Sequence, residues 1–485
     1  MADIQTVRAV RLRKARALRE LGVNLYPEHT PKRLAAAEIQ KHFSAFSRSR
    51  QITIAGRITG LRVHGGAAFL DCTDASGKLQ VLFSRKALGK AFTRVPALDL
   101  GDFLAVRGKL IRTRRGEATL EARGFTVLAK ALRPIPAHWY GLRDVEERFR
   151  RREIDLLLNP EVRQRFRVRS EILRTLRRIL EDESFLEVET PILQAVPGGA
   201  HAEPFRTMLR ALKLPLYLRT APELYLKRLL VGGFEKVYEL GRSFRNEGMD
   251  HTHNPEFTEL EFYWAYQDLK GLMAFSERMI RRTVRETMRT SHISFRGAQI
   301  SFSRKFRRLE FSSLFQNSFR VDPITASDST LVSIARRNGV PTGPSVTRAI
   351  LIDHLFKKTV APTLVQPAFV VHHPLSLSPL AKAVGQNSQL ARRFQIFAGG
   401  MEVANAYAEL NDPREQRKRF VEEAKHRRSG NREAQRTDED FLTALEYGMP
   451  PAAGFGLGVD RFVMLLTDAP SLREVLLFPT MRPKK

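Results

Sequence analysis

At 485 residues the chain is longer than one hydrophobic core usually organises, so roughly two or three domains are expected. A formal net charge of +29 and a pI near 10.7 argue for a polyanionic partner. The lone cysteine, Cys72, rules out an intrachain disulfide and a cysteine-rich zinc centre, and no apolar run reaches the length of a membrane span. Both fit a reducing, cytoplasmic setting with no membrane partner.

The stretch VRAVRLRKARALRELG sets Val7, Val10, Leu18 and Leu21 among six Arg and Lys residues and stops at Gly22. This predicts a basic amphipathic helix in an N-terminal helical extension over 1–48, adding a sequence-blind grip on RNA phosphates. An Arg-rich start also resembles an organelle transit peptide. Asp3, Glu20 and the absence of serine from the first forty residues stand against that.

Five short strands follow between Gln51 and Ala129, divided by Gly65-Gly66, Ser76-Gly77, Gly101 and Arg115-Gly116. They predict a small barrel of OB type over 49–132. Phe69 and Gln80 fall on neighbouring strands and Glu117 at a hairpin tip. An aromatic with amide and carboxylate acceptors can stack on and read single-stranded bases, although Phe69 taken singly reads as a core residue. Residues 133–150, rich in Pro, Gly and aromatics, read as a linker, and Arg148 to Arg152 then add a basic cluster suited to phosphate contacts.

The remainder, 151–485, reads as one domain. Helical spacing from Val162 to Leu180 leads to a strand from Phe185 to Val188 that stops at Pro191. The segment from Tyr238 to Tyr266 then predicts a hairpin with a charged loop holding Arg245, Asn246, Glu247, Gly248, His251 and His253. Period two puts Phe257, Glu261 and Tyr263 on one face. Arg245 supplies a planar fork for phosphate oxygens and Phe257 a plate for a base. By pattern alone, an ordinary hairpin with solvated charges fits equally well. Residues 267–367 read as a helical insertion without assignable chemistry. Beyond it, Asn405, Tyr407 and Glu409 share a strand face, while Glu402 faces away unless a bulge intervenes. A buried carboxylate beside a tyrosine is a cage for an ammonium group.

The segments GRSFRNEG and HNPEFTELEFY resemble the motif 2 hairpin of class II aminoacyl-tRNA synthetases in its lysine-specific form. ALEYGMPPAAGFGLGVDRFVMLLT resembles motif 3, the helix and strand ending at Pro191 resemble the dimer-forming motif 1, and AAFLDCTDASGKLQVLF resembles the anticodon-binding barrel of bacterial lysyl-tRNA synthetases. The implied fold is an α+β multidomain chain: an N-terminal OB-fold β-barrel plus a catalytic domain built on an antiparallel sheet flanked by helices. The implied activity is ATP-dependent formation of lysyl-adenylate and transfer of lysine to tRNA(Lys), with Mg²⁺ accompanying ATP, by a homodimer.

The resemblance also implies roles. Arg245 and Arg461 would be catalytic, and Glu247, His253, Asn254, Phe257 and Glu402 would join them in holding ATP. Gly199, Glu223, Glu261, Tyr263, Asn405, Tyr407 and Glu409 would bind lysine. Phe69, Gln80 and Glu117 would read the anticodon. Glu402 is implied as a metal ligand, and its partner position holds Gln395 where the family has glutamate; an amide is a weaker ligand for a hard cation. Two further departures are Glu203, where the family usually has a basic residue, and Thr207 to Arg210 in place of a THHN-like stretch. Three rivals share parts of this pattern. An aspartyl or asparaginyl enzyme would need a pocket for an acidic or amide side chain. The short paralogue that lysylates a translation factor lacks a barrel. A degenerate RNA-binding synthetase finds support only in Gln395.

Overall fold

The computed structural model describes residues 4–49, 51–135, 144–343, 346–385, 388–428 and 433–483, and divides into two compact units, Met1–Arg143 and Asp144–Lys485. In the first unit the strands Ile52–His64, Ala67–Thr73, Lys78–Ser84, Ala118–Ala129 and Phe103–Arg112 close in that order into a barrel. Alternation drives it: Ala68, Leu70 and Cys72 point into the core, while Ala67, Phe69, Asp71 and Thr73 point outward.

A helix over Ile4–Glu20 precedes the barrel and stops where Gly22 takes φ +74. Its docked face is only in part the apolar one expected: Leu18 and Ala15 join the barrel core, but a charged residue is buried beside them. Arg11, Ala15 and Leu18 are buried, whereas Val10 and Leu21 are exposed. Arg11 Nη1 donates to the carbonyls of Ala131 and Arg133 at 3.0 and 2.9 Å, and Lys14 Nζ lies 2.7 Å from Asp99. These charges dock the helix together with the buried Ala15 and Leu18; Arg8, Arg13, Arg16 and Arg19 stay exposed.

The second unit is organised by an eight-stranded sheet. In spatial order the strands are Arg307–Glu310, Ala368–Val371, Arg393–Ala398, Met401–Ala408, Ala452–Gly458, Glu256–Ala265, Lys236–Phe244 and Leu186–Glu187. All neighbours are antiparallel except the two edge pairs. Leu260 and Phe262 on one face join the core with the helices Pro160–Asp182, Leu269–Met288 and Val459–Leu466. Phe262 stacks on Phe455 at 4.9 Å and meets Phe185 edge-on at 5.1 Å. With that face filled by rings, the polar residues between them must line the other.

Two expectations are corrected here. The segment 267–367 is not simply helical. Leu269–Met288 belongs to the main core, a hairpin forms over His292–Phe295 and Ala298–Ser301, and Arg307–Glu310 is an edge strand of the central sheet. Only the helices beyond it enclose a separate small core around Phe315, Leu331 and Leu355. The hairpin was hard to see because its turn sets Arg296 at φ 50 beside Gly297 at φ 79, and arginine does not advertise that conformation.

The second correction concerns the stretch read as a linker. Val145–Arg150 is a helix capped by Asp144, and residues 136–143 lie outside the described residues. Arg152 is fully buried and donates to the carbonyls of Leu477, Leu476 and Arg473. Arg148 pairs with Asp155 and Glu474. These two arginines tie the start of the unit to its end rather than facing a phosphate backbone.

Candidate active site

The Lys236–Phe244 and Glu256–Ala265 strands pair from Lys236↔Trp264 to Phe244↔Glu256, so the loop between them spans 245–255. Phe257, Glu259, Glu261 and Tyr263 lie opposite the core face. The Arg245 guanidinium lies over the Phe257 ring, 4.9 Å from its centroid, and its Nε is buried without a hydrogen-bond acceptor. An unmet guanidinium donor on an enclosed surface fits an anion not supplied by the protein. Ser243 Oγ donates to Glu259, and burial lifts the Glu247 carboxyl above its usual range, opposed by Arg245. Asn254 Nδ2 donates to the carbonyl of Glu256 at 2.6 Å and so shapes the loop end.

Arg461 enters from the first turn of the Val459–Leu466 helix. Its Nη2 lies 2.9 Å from His253 Nε2, and its Nε donates to the Thr252 carbonyl at 3.3 Å. Arginine can only donate, so His253 accepts through Nε2 and carries its proton on Nδ1, 2.8 Å from Asp250 Oδ2. The hairpin loop and the C-terminal helix are thereby joined. Glu402 reaches the same wall through a bulge. Ile396 pairs with Ala404 but Phe397 with Glu402, so Val403 is the extra residue, and Glu402 returns to the face of Asn405 and Tyr407.

The innermost part is a buried cluster of carboxylates, tyrosines and one lysine. Glu223 opens the Glu223–Val231 helix and is buried. Its Oε2 accepts from Tyr407 OH at 2.6 Å and its Oε1 from Lys227 Nζ at 2.6 Å. Glu409 is fully buried, with Lys227 Nζ 2.5 Å from its Oε2 and no hydrogen-bond donor at its Oε1. Burial pushes the Glu409 carboxyl up to about 8 against the pull of Lys227. Tyr263 OH donates to Glu261 Oε2 at 3.0 Å, and burial, with Glu259 and Glu223 adding repulsion, holds the Glu261 carboxyl well above its usual range. Glycines make the room. A Cβ at Gly454 would collide with Glu409 Oε1 and the Tyr263 ring, and Gly199, at φ +86, packs against Glu223.

In the barrel, Gln80 Nε2 donates to Glu117 Oε2 at 2.8 Å, and Thr119 Oγ1 donates to Gln80 Oε1 at 2.7 Å. Phe69 sits half-buried on the outer face of the adjoining strand, two residues before Asp71, the register partner of Gln80. The three residues share one outer surface, with Gln80 and Glu117 in direct contact.

Residues 144–482 match the family model described as tRNA synthetases class II (D, K and N). The chain belongs to that family. Residues 52–128 match the OB-fold nucleic acid binding domain. Among its relatives are the lysine–tRNA ligases of Carboxydothermus hydrogenoformans and Moorella thermoacetica, each 45% identical over 98% of both chains. The Thermotoga maritima lysine–tRNA ligase is 41% identical over 98% of this chain and 96% of its own.

Against the lysine-specific form of class II synthetases, the departures have definite settings. Gln395 lies opposite Asn405 and is buried, with its Oε1 2.7 Å from His373 Nε2. Burial, and then Arg393, keep His373 well below the usual imidazole range, so this neutral ring donates to the amide oxygen. Asn405 Oδ1 in turn accepts from Arg393 Nε at 2.7 Å. The carbonyl of Glu203 accepts from the Asn246 amide, and Arg206–Leu209 is a surface strand with Met208 and Leu209 exposed. Sequence reasoning missed Lys227, His373 and the buried pair Arg219–Glu239. Lys227 had a signal: it stands four residues after Glu223 in an otherwise largely apolar helix.

Proposed function

We propose that this class II synthetase is a lysine–tRNA ligase that couples ATP cleavage to lysyl-adenylate formation and then loads the 3′ end of tRNA(Lys). The observation that carries the reading is Glu409, a fully buried carboxylate whose Oε2 is met by the Lys227 ammonium and whose Oε1, beside Tyr263, has no donor among the described residues. An ammonium group fills that place; an aspartate or asparagine side chain would meet an anionic wall. The relatives' names support the same substrate.

In this reading Glu409 and Tyr263 take the ε-ammonium, and Glu223 takes the α-ammonium beside Gly199. Asn405 and Arg245 face the carboxylate, with Glu261 and Tyr407 completing the wall. Arg245 bridges the attacking carboxylate and the α-phosphate, Phe257 and Asn254 place the nucleotide, and Glu247, His253 and Arg461 hold its far end. No side chain acts as nucleophile; positioning and charge neutralisation supply the rate. Among the described residues no group of three or more His, Cys, Asp or Glu side chains could hold a metal ion by itself. Glu402, on the same wall as Arg461, fits a single carboxylate ligand for the magnesium carried by ATP, whereas Gln395 Oε1 is engaged by His373. Magnesium bound there would neutralise phosphate charge. Assembly as a homodimer through the Pro160–Asp182 helix and the strand after it, and a cytoplasmic location, complete the reading. No described helix is long and apolar enough to cross a membrane.

Amino-acid-dependent pyrophosphate exchange tests it. Lysine is expected to support exchange, and aspartate and asparagine are not; equal rates with either would remove the lysine assignment. The barrel has a separate test. Phe69→Ala is expected to lower kcat/KM for tRNA lysylation by about 1–3 kcal/mol, the value of one stacked base, and to leave exchange intact. A parallel fall in both activities would make Phe69 a packing residue.

A further inference from the structure

Lys227 has no part in the reaction described above, yet its ammonium lies at the centre of the pocket wall. It is fully buried and touches two carboxylates, Glu223 Oε1 at 2.6 Å on its own helix and Glu409 Oε2 at 2.5 Å beyond the Met401–Ala408 strand. The Tyr407 ring is 5.4 Å from Nζ, and the Tyr407 hydroxyl donates to the other oxygen of Glu223. Glu261 and Tyr263 act on Glu223 or Glu409 from the hairpin strand, and Lys382 acts on Glu409. A buried ammonium is costly to desolvate, so an apolar side chain would serve simple packing better.

Charge counting shows what the cation does. Five buried carboxylates line this region, Glu223, Glu239, Glu259, Glu261 and Glu409. Arg219 is paired with Glu239, and Arg245 is the leading cation acting on Glu259. Of the remaining three, Glu223 and Glu409 both touch Lys227, while Arg245 acts on Glu261 and Lys382 on Glu409 from further away. Counted over the groups in contact, two carboxylates and one ammonium leave one negative charge facing the substrate's ammonium groups. Without Lys227, Glu223 and Glu409 would stand buried beside Glu261 with no cation in contact, where repulsion is relieved by taking up protons. A protonated Glu409 is a poor acceptor for an ammonium.

We propose that Lys227 is a positioning and specificity-determining residue, clipping Glu223 to Glu409 as a charged, oriented pair and leaving Glu409 Oε1 for the substrate ε-ammonium. This rests on the lysine–tRNA ligase reading and adds to it a residue that does not touch the reacting atoms. Burial alone would lower the Lys227 pKa, but Glu223 and Glu409 outweigh it and raise it, so the ammonium stays charged.

The test is lysine-dependent pyrophosphate exchange by full-length wild type, Lys227→Met and Lys227→Gln, between about pH 6 and pH 9. Both variants are expected to lose about 100-fold in kcat/KM for lysine at neutral pH, with KM for ATP unchanged. The Glu409 carboxyl already stands at about 8 beside Lys227, so the variants' acid limb should lie higher still and their deficit should narrow steadily toward the alkaline end of the range. If Lys227→Met does not fold, Lys227→Gln, which retains a polar head, supplies the same profile. A loss that is flat across pH, a loss shared with KM for ATP, or no loss would each overturn the proposal. Wild type that exchanges with another amino acid but not lysine would overturn the function itself, a result distinct from all of these.

Discussion

Glu409→Gln is expected to lower lysine-dependent pyrophosphate exchange roughly 100- to 1000-fold in kcat/KM and to shrink the preference for lysine over norleucine. The carboxylate is fully buried, and among the described residues the cation that touches it, Lys227, reaches only Oε2. A substrate ammonium entering beside Oε1 exchanges its water shell for this charge. Replacing one partner of such a buried pair costs about 3–5 kcal/mol, because the other is left uncompensated. Norleucine carries no charge at that position, so the variant should bind it no worse than wild type does. The measurement is exchange with both amino acids for both proteins. A similar loss for lysine and norleucine would show that Glu409 shapes the pocket without reading the ammonium.

The barrel and the hairpin were legible because their signals are local. Alternation along Ala67–Thr73 and Glu256–Ala265 sorts inward from outward residues, and glycines mark the turns. The pocket face followed from the same rule, since Phe262 and Leu260 could only enter the core if Glu261 and Tyr263 faced away from it. Glu402 marked the limit. Period two put it on the wrong side, and only the pairing of Phe397 with Glu402 shows that Val403 bulges. Whether a strand bulges depends on its neighbour's register, which no short window contains.

Basic residues were the least legible. Arg11, Arg152 and Lys227 look, in sequence, like any other member of a +29 chain, yet each is buried and partnered. Their partners lie far along the chain: the Ala131 carbonyl for Arg11, the Leu477 carbonyl for Arg152, Glu409 for Lys227. A charge becomes structural through groups that folding delivers, and a local reading assigns it to solvent or to RNA by default. The +29 excess therefore overstates the surface available to a polyanion, at least by these residues.

Arg245 is the position where loss should be felt in turnover rather than in binding. Its guanidinium lies over the Phe257 ring at 4.9 Å, its Nε has no acceptor among the described residues, and Glu259 and Glu261 lie within its electrostatic reach. Held this way, the fork is fixed before substrate arrives, and in the proposed reading it bridges the carboxylate oxygen and the α-phosphate. Charge builds on the phosphoryl oxygens only as the new bond forms, so the contact strengthens on the way to the transition state. Arg245→Ala is expected to cut kcat of lysine-dependent exchange about 100- to 1000-fold, by analogy with loss of one preorganised donor. Arg245→Lys should recover little, because a point charge on a flexible stem neither stacks flat on Phe257 nor bridges two oxygens in one plane. Steady-state kinetics against lysine and ATP separate the alternatives. A rise in KM for lysine with kcat intact would make Arg245 a ground-state anchor for the carboxylate, and full activity in Arg245→Lys would show that its charge suffices without its shape.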